Sequence, residues 1–353
     1  MESLISVIIP VYEAERTIER CLDSVLSQTY ENIEAICIVD GGRDGSADIL
    51  RGYAARDARV RVIEQEGKGP ATARNAGLDA ARGAYIGFVD ADDFAEPTMY
   101  GRLLAAMREA GAQLANCAYT AFRPDGGETV KLPDLHGSCG CAQNDTKKNV
   151  PFVFVSEGAE GLGGLIADTP DFIWDKLFDA AVIRGEGLRF PDGRVYGEDT
   201  VFLVKYLSFV KRAVFIRDAL YHYNAYNEGS ITNTMSDRWY DIFENLKDIL
   251  FFFRESRPPA DFEILAPCLE GLFIRYYDRR ANAMLRYGER GFQSRYVKYS
   301  FEFLSRYFPG WKARMRAMPD VVFPRVKTSL FLMRLYILAP APVKQRLGEG
   351  RRA

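Results

Sequence analysis

A chain of 353 residues can hold one large domain or two ordinary ones, and 48% hydrophobic with 27% charged residues excludes a disordered or fibrous protein. The net charge of −2 gives the whole molecule no strong field, and no nucleic-acid partner is expected. The charge is uneven, however: from Ala281 onward 15 Lys and Arg stand against 4 Asp and Glu, a balance of +11 that points to an acidic or phosphate-rich partner. Six scattered cysteines, with Cys139 and Cys141 as a lone C-x-C, read as reduced thiols of a cytoplasmic protein. The apolar run Ile5–Ile9 is too short and lacks the basic leader of a signal peptide. The apolar stretch 329–343 is broken by Arg334, Pro340 and Pro342, so no spanning helix is expected.

In chain order, Ile5–Ile9 is a β-branched run suited to a strand buried on both faces. Ala14–Ser27 places Ile18, Cys21, Leu22, Val25 and Leu26 on one helical stripe. Ile33–Val39 predicts a second strand, Ser46–Ala58 a helix and Val60–Ile63 a third strand. Pro70–Arg82 predicts a helix with Pro in its first turn and Gly83 past its end. Ala84–Val89 follows as a fourth strand, Glu96–Ala110 as a helix closed by Gly111, and Gln113–Phe122 as a fifth strand. Residues 123–150 turn polar and Gly-rich and read as a loop. Order resumes over 171–233, with a helix at Asp199–Phe209 and a strand at Arg212–Ile216. From Asp237 onward the pattern is helical and rich in aromatics.

Strands separated by helices imply a mostly parallel α/β sheet flanked by helices, and such sheets bind ligands beyond the carboxyl ends of their strands. The oddly placed polar residues stand there. Tyr12 follows the first strand, Asp40 ends the second, and Asp90-Ala91-Asp92-Asp93 follows the fourth. Clustered carboxylates repel one another unless a cation or hydrogen bonds offset the repulsion, and an all-oxygen set suits Mg²⁺ or Mn²⁺. A solvated Asp-rich turn is the plainer reading of the tetrapeptide alone. Gly67-Lys68-Gly69 precedes a helix but matches neither standard phosphate-loop fingerprint.

Taken in order, Ser6-Val7-Ile8-Ile9-Pro10-Val11-Tyr12, Ser24-Val25-Leu26-Ser27-Gln28-Thr29-Tyr30, Asp40-Gly41, Ala73-Arg74-Asn75-Ala76-Gly77 and Asp90-Ala91-Asp92-Asp93 resemble glycosyltransferase family 2. The resemblance implies a GT-A fold, a mostly parallel sheet flanked by helices, and transfer of a sugar from a nucleotide-diphosphate donor, a UDP-sugar, to an acceptor hydroxyl with inversion. It implies that Pro10, Tyr12, Asp40 and Arg74 hold the nucleoside. Asp90 would meet the ribose or the metal's shell, and Asp92 would bind Mn²⁺ or Mg²⁺. More loosely, Trp174-Asp175-Lys176-Leu177-Phe178 and Gly197-Glu198-Asp199-Thr200 resemble the acceptor half, with Trp174 and Lys176 at the acceptor. Asp199 would be the proton-accepting base and Glu198 its neighbour. Acidic residues at a helix start also favour the dipole, so the same motif has a structural reading. Tyr221 to Asn224 and Ser230 resemble a segment that closes over the diphosphate. His222 within it reads as a packed ring rather than a ligand.

Three positions depart from the family pattern. Val39 replaces the first of two Asp, Gly67 stands where Asn is frequent, and Asn224 where Arg is common. Two rivals stay open: a nucleotide-sugar-binding protein without turnover, and a nucleotidyltransferase. Against the second, Pro10-Val11-Tyr12-Glu13 stands where that class would carry a Gly-rich basic loop. The expected organisation is a catalytic domain over 1–235, with a donor half 1–122 and an acceptor half 123–235, followed by a mainly helical, basic region over 236–353. Lys312, Arg314, Arg316, Arg325, Lys327 and Arg334 interleave with Trp311, Phe323, Leu330, Phe331 and Leu332, as in a helix lying on anionic lipid. The expected setting is polysaccharide or glycan assembly, with a glycan or lipid-linked acceptor, in the cytoplasm or at the inner face of the membrane.

Overall fold

A computed structural model describes residues 2–122, 127–131, 151–169, 171–225, 237–272 and 290–310. The chain divides into two compact units, Met1–Ser230 and Ile231–Ala353. The first unit is built on one sheet. Its strands are β1 (Ile5–Val11), β2 (Ile33–Asp40), β3 (Val60–Gln65), β4 (Tyr85–Phe88), β5 (Phe94–Ala95), β6 (Leu114–Phe122), β7 (Glu128–Lys131), β8 (Phe152–Val155), β9 (Lys176–Asp179) and β10 (Arg212–Asn224). They run in the order β3-β2-β1-β4-β9-β6-β10-β5, with β7 beside β6 and β8 beside β10. Strands β3, β2, β1 and β4 are parallel, and so are β6 and β10, while β9 runs against both β4 and β6.

The register explains why the polar residues converge. Val11 pairs with Val39 and Ile8 with Phe88, so Tyr12, Asp40 and Asp90 leave the sheet along one edge. Because β9 is antiparallel, its first residue, Lys176, lies at that same edge. A strand from 123–235 is thus inserted between β4 and β6, and the donor and acceptor halves share one sheet.

Buried β-branched residues fill β1 and β2 on both faces, as parallel strands under two helical layers require. Strand β2 carries a carboxylate near each end. Glu34, at the edge away from the site, accepts from Ser6 (2.6 Å) and from the Arg82 side chain (2.8 Å), and its carboxyl is held below the ordinary range: burial opposes that shift, but these donors outweigh it. Asp40 ends the strand at the site.

The helices of this unit are α1 (Ile18–Leu26), α2 (Ser46–Ala54), α3 (Pro70–Ala80), α4 (Met99–Ala110), α5 (Gly158–Asp168), α6 (Ala180–Gly185) and α7 (Glu198–Leu207). The predicted first helix begins later than expected, because Ala14–Thr17 form a turn whose carbonyl at Ala14 accepts from Thr17 and Ile18. The predicted strand at Arg212–Ile216 extends to Asn224, with register shifts between Phe215 and Tyr221 that break its alternation. Within the expected 123–150 loop, β7 pairs with β6; Cys139 and Cys141 lie outside the described residues.

In the second unit a short 3₁₀ turn (Asp237–Tyr240) leads into α8 (Asp241–Ser256); α9 (259–272) and α10 (Arg290–Tyr307) follow. Trp239, Phe243, Phe253, Tyr296 and Phe303 form a buried aromatic core. The basic segment that begins at Trp311 lies outside the described residues.

Candidate active site

Three loops leave the parallel edge together and brace one another. After β1 the Ala14 amide donates to Ser46 Oγ (2.9 Å) and the Glu15 amide to Asp44 (2.9 Å), tying the first loop to the second. Between them Glu13 adopts a left-handed φ of 46°, a strained conformation for a non-glycine residue. Tyr12 stands before it, 62% exposed, with Pro10 half-buried below.

Asp40 faces the loop between β3 and α3. Its carboxylate accepts from the Lys68 amide (2.9 Å), the Gly69 amide (2.7 Å) and the Gln65 side chain (2.5 Å). Gly41 and Gly67 meet here: a Cβ on Gly41, at φ +75°, would lie 3.1 Å from the Gly67 nitrogen. A Cβ on Gly67 would in turn lie 3.3 Å from the Asp40 carbonyl oxygen, so both glycines have a packing reason in this chain.

The carboxylates after β4 differ in their surroundings. Asp90 keeps 29% of its side-chain surface. Asp92 is half-buried, and its carbonyl accepts from Arg20 (2.9 Å), whose guanidinium lies 4.7 Å from the Phe94 ring centre. Asp93 is fully buried, accepting from the Tyr221 hydroxyl (2.7 Å) and the Asn224 amide (2.7 Å). Burial first, then the charges of Asp92 and Asp90, push the Asp93 carboxyl well up. The Tyr221 hydroxyl in turn accepts from the Asp90 amide (3.2 Å). Asp93 therefore shapes the turn, a role that reading the tetrapeptide as ligands missed. His222 is packed as expected, stacked on Phe94 at 4.2 Å and paired with Glu96 at 2.6 Å.

The acceptor-side carboxylates are brought in by α3. Asn75 donates to the Phe190 carbonyl (2.9 Å) and accepts from the Phe190 amide (2.9 Å), fixing the segment that leads to Gly197. Gly197, at φ +74°, turns the chain into α7, with Glu198 and Asp199 in its first turn. One residue before Asn75 in α3, the buried Arg74 reaches three carboxylates. It donates to Asp90 (2.9 Å) and Glu198 (2.7 Å), and its Nη1 lies 2.9 Å from Asp199 Oδ1. Asp199 keeps 22% of its side-chain surface. Burial pushes its carboxyl up to about 8; Arg74 opposes that shift, Glu198 and Asp90 add to it, and Lys176 opposes it. Burial likewise raises Glu198 against the pull of Arg74. The guanidinium itself is held more firmly protonated, since Asp199, Asp90 and Glu198 outweigh its own burial.

Trp174 and Lys176, expected at the acceptor, are 3% and 0% exposed. Lys176 Nζ contacts Asp175 at 2.6 Å, and Trp174 stacks on Tyr221 at 4.5 Å and on Phe172 at 4.7 Å. Their position in the central strand β9 and the turn before it buries them beneath the site, which corrects their expected direct contact with acceptor. Ser230 lies outside the described residues. The structure thus brings Asp40, Asp90, Asp92, Arg74, Glu198 and Asp199 to one edge, with Tyr12 at its open side.

The comparisons with known proteins bear on this arrangement. The family model described as Glycosyl transferase family 2 matches residues 6–155. Glycosyltransferase GlyG of Streptococcus pneumoniae serotype 4 (strain ATCC BAA-334 / TIGR4) is 30% identical over 238 residues, covering 67% of this chain and 75% of GlyG. The chain belongs to glycosyltransferase family 2. A second relative, the uncharacterized glycosyltransferase EpsJ of Bacillus subtilis (strain 168), is 31% identical over 66% of this chain and 64% of its own length. The chain therefore spans less than two thirds of that relative. The fold matches Staphylococcus aureus TarS 1–349 in complex with UDP, with a TM-score of 0.66 at 18% identity over 95% of this chain and 90% of that one. It also matches a Pyrobaculum calidifontis mannosyltransferase in complex with GDP-Man and Mn²⁺, with a TM-score of 0.51 at 16% identity over 96% and 88%. These two likenesses establish the fold, a mixed α/β architecture.

A metal in this family site would need few protein ligands. Among the described residues no group of three or more His, Cys, Asp or Glu is arranged to hold one alone. A Mg²⁺-like ion that keeps waters and substrate phosphates needs only one or two carboxylates. Asp92, in a turn where its charge and that of Asp90 already act on the buried Asp93, fits that small donor set.

Proposed function

We propose that this protein is an inverting glycosyltransferase that moves a sugar from a UDP-type donor to an acceptor hydroxyl in cell-surface polysaccharide or glycan assembly. The observation that carries the reading is the position of a largely buried carboxylate, Asp199, with 22% of its side-chain surface exposed, at the same sheet edge as Asp90 and Asp92. The proposed donor groups and the proposed base are thereby neighbours at one sheet edge. TarS in complex with UDP and the mannosyltransferase with GDP-Man and Mn²⁺ support a nucleotide-sugar donor on this fold. Pro10, Tyr12 and Asp40 would form the nucleoside end, with Asp40 acting through the Lys68–Gly69 loop that it holds. Asp90 would accept from the ribose, and Asp92 would hold Mn²⁺ or Mg²⁺, which offsets the charge of the leaving diphosphate.

The acceptor hydroxyl must lose its proton as it attacks, and Asp199 Oδ is the atom that takes it. A base poised near neutrality both accepts that proton and releases it afterward, and burial sets Asp199 in that range. A base opposite a leaving group gives inversion in one displacement. Trp174 and Lys176 are assigned to supporting the floor of the acceptor side. The test is a melting-temperature screen of UDP-sugars and GDP-mannose with Mn²⁺, followed by nucleotide release. A ligand at 100 times its dissociation constant adds about 2.7 kcal/mol. No stabilisation by any nucleotide sugar would overturn the donor assignment. Stabilisation without turnover toward any glycan acceptor would favour a binding protein.

A further inference from the structure

Arg74 does something that a nucleoside contact would not. Its side chain is 6% exposed, and its three carboxylate contacts come from two separate parts of the chain: Asp90 follows β4, whereas Glu198 and Asp199 open α7, 124 and 125 positions after Arg74. Both terminal nitrogens are engaged, and the remaining Nε is buried without a hydrogen-bond partner. The Phe190 ring lies 5.7 Å from the guanidinium and covers one face. That ring belongs to the segment that the neighbouring Asn75 clamps. A buried guanidinium with its donors committed to carboxylates has little left to offer a base or ribose.

We propose that Arg74 is a positioning residue for the Glu198–Asp199 pair, holding the base against the donor side and offsetting its charge, rather than a ligand of the nucleoside. This inference rests on the glycosyltransferase reading given above. Four groups face Asp199 or its pair: Arg74 from α3, Asp90 from the turn after β4, Glu198 from α7, and Lys176 from β9. Two of these are anions, so without Arg74 the negative charges are opposed by Lys176 alone of the four. Asp199 then holds its proton to higher pH, and the base form becomes scarcer at neutrality. The contact between Nη1 and Asp199 lacks hydrogen-bond alignment, whereas that with Glu198 has it. Glu198 is therefore the anchoring partner and Asp199 the partner left able to turn toward an acceptor.

The test compares wild type, Arg74→Gln, Arg74→Lys, Asp199→Asn and the Arg74→Gln/Asp199→Asn double variant. UDP binding with Mn²⁺ is measured by calorimetry, UDP release from UDP-sugars as a function of pH, and melting temperature for each. The expected result has three parts. UDP affinity of Arg74→Gln stays within about threefold of wild type. Its UDP release falls about 10²-fold at neutral pH, the lower end of a general-base contribution, and its acidic limb moves to higher pH. Arg74→Lys recovers part of both. Melting-temperature changes of Arg74→Gln and Asp199→Asn are non-additive, since the two groups touch. A tenfold or larger loss of UDP affinity with an unshifted limb, or additive melting changes, would overturn the assignment. If Arg74→Gln does not fold, the shift is read from Arg74→Lys and the cycle from Arg74→Lys/Asp199→Asn. Failure of wild type to bind UDP would instead sink the glycosyltransferase reading, while the substrate-free melting cycle still judges the Arg74 bridge.

Discussion

At the residue scale, the candidate site is a problem in placing charge. Asp90, Asp92, Asp93, Glu198 and Asp199 crowd one edge, and Arg74 and Lys176 are the cations set among them. Asp199→Asn keeps the size of the side chain but removes the proton acceptor. Transfer should fall by about 10²–10⁴-fold while UDP binding with Mn²⁺ stays near wild type; near-normal transfer would place the base elsewhere. The same variant has a stability signature. A carboxyl raised to about 8 when folded, from an ordinary 3.8, holds its proton more tightly in the folded state. That contribution is complete below the ordinary value and is lost as pH rises through about 8. Melting temperature measured from about pH 5 to pH 8 should therefore fall more steeply for wild type than for Asp199→Asn. Parallel curves would show that burial does not raise this group. Asp92→Ala removes the proposed metal ligand from a turn and leaves Asp93, which shapes that turn, in place. Mn²⁺-dependent UDP binding should be lost with little change in melting temperature, as calorimetry alongside a thermal melt would show.

At the element scale, α3 is the part on which the site turns. It carries Arg74 and Asn75 on one side and packs on β1 through Gly77, where a Cβ would lie only 2.4 Å from Ile8 Cγ2. Gly77→Ala should cost about 1–3 kcal/mol by overpacking, and the Gly77→Ala/Ile8→Ala double variant should lose less than the sum of the two single losses. A double loss equal to the sum of the single losses in urea unfolding would show that the helix does not seat there. The legibility of each element followed its periodicity. Strands β1 and β2 were readable because parallel strands covered on both faces are unbroken apolar runs. Strand β10 extends past its predicted end at Ile216, and its register shifts between Phe215 and Tyr221 break the alternation that marks a strand. Strand β9 carries no strand signal in its sequence: four residues beginning with a lysine look exposed, yet Lys176 is buried with Asp175 as its ion-pair partner. Helix α5 has four glycines in Gly158–Asp168 and little helical propensity, so packing decides it. At the site, the sequence showed which residues meet, but not which of them take the inner places. Asp93, Trp174 and Lys176 are interior, and only three-dimensional burial tells them from Asp90 and Asp92.

At the scale of the whole molecule, the two ends of the chain carry opposite charge. The excess of +11 from Ala281 onward leaves −13 for the rest, within a net charge of −2. The described residues include no helix long and apolar enough to cross a membrane. The segment from Trp311 alternates basic and apolar side chains, a composition that suits an anionic interface. There each Lys or Arg near the surface contributes about 1 kcal/mol, and apolar neighbours add burial in the headgroup boundary. We propose that this segment brings the enzyme to a lipid-linked acceptor. Removing the chain from Val321 onward deletes Arg325, Lys327 and Arg334 with Phe323, Leu330, Phe331 and Leu332, and leaves the donor residues untouched. The shortened protein should sediment less with vesicles containing phosphatidylserine, while its binding of UDP with Mn²⁺ stays as it was. The loss should be largest at low ionic strength, because the surface potential decays within a Debye length. Equal sedimentation of the two proteins with anionic vesicles at every salt concentration would exclude a lipid role for this segment and leave it as an ordinary basic part of the second unit.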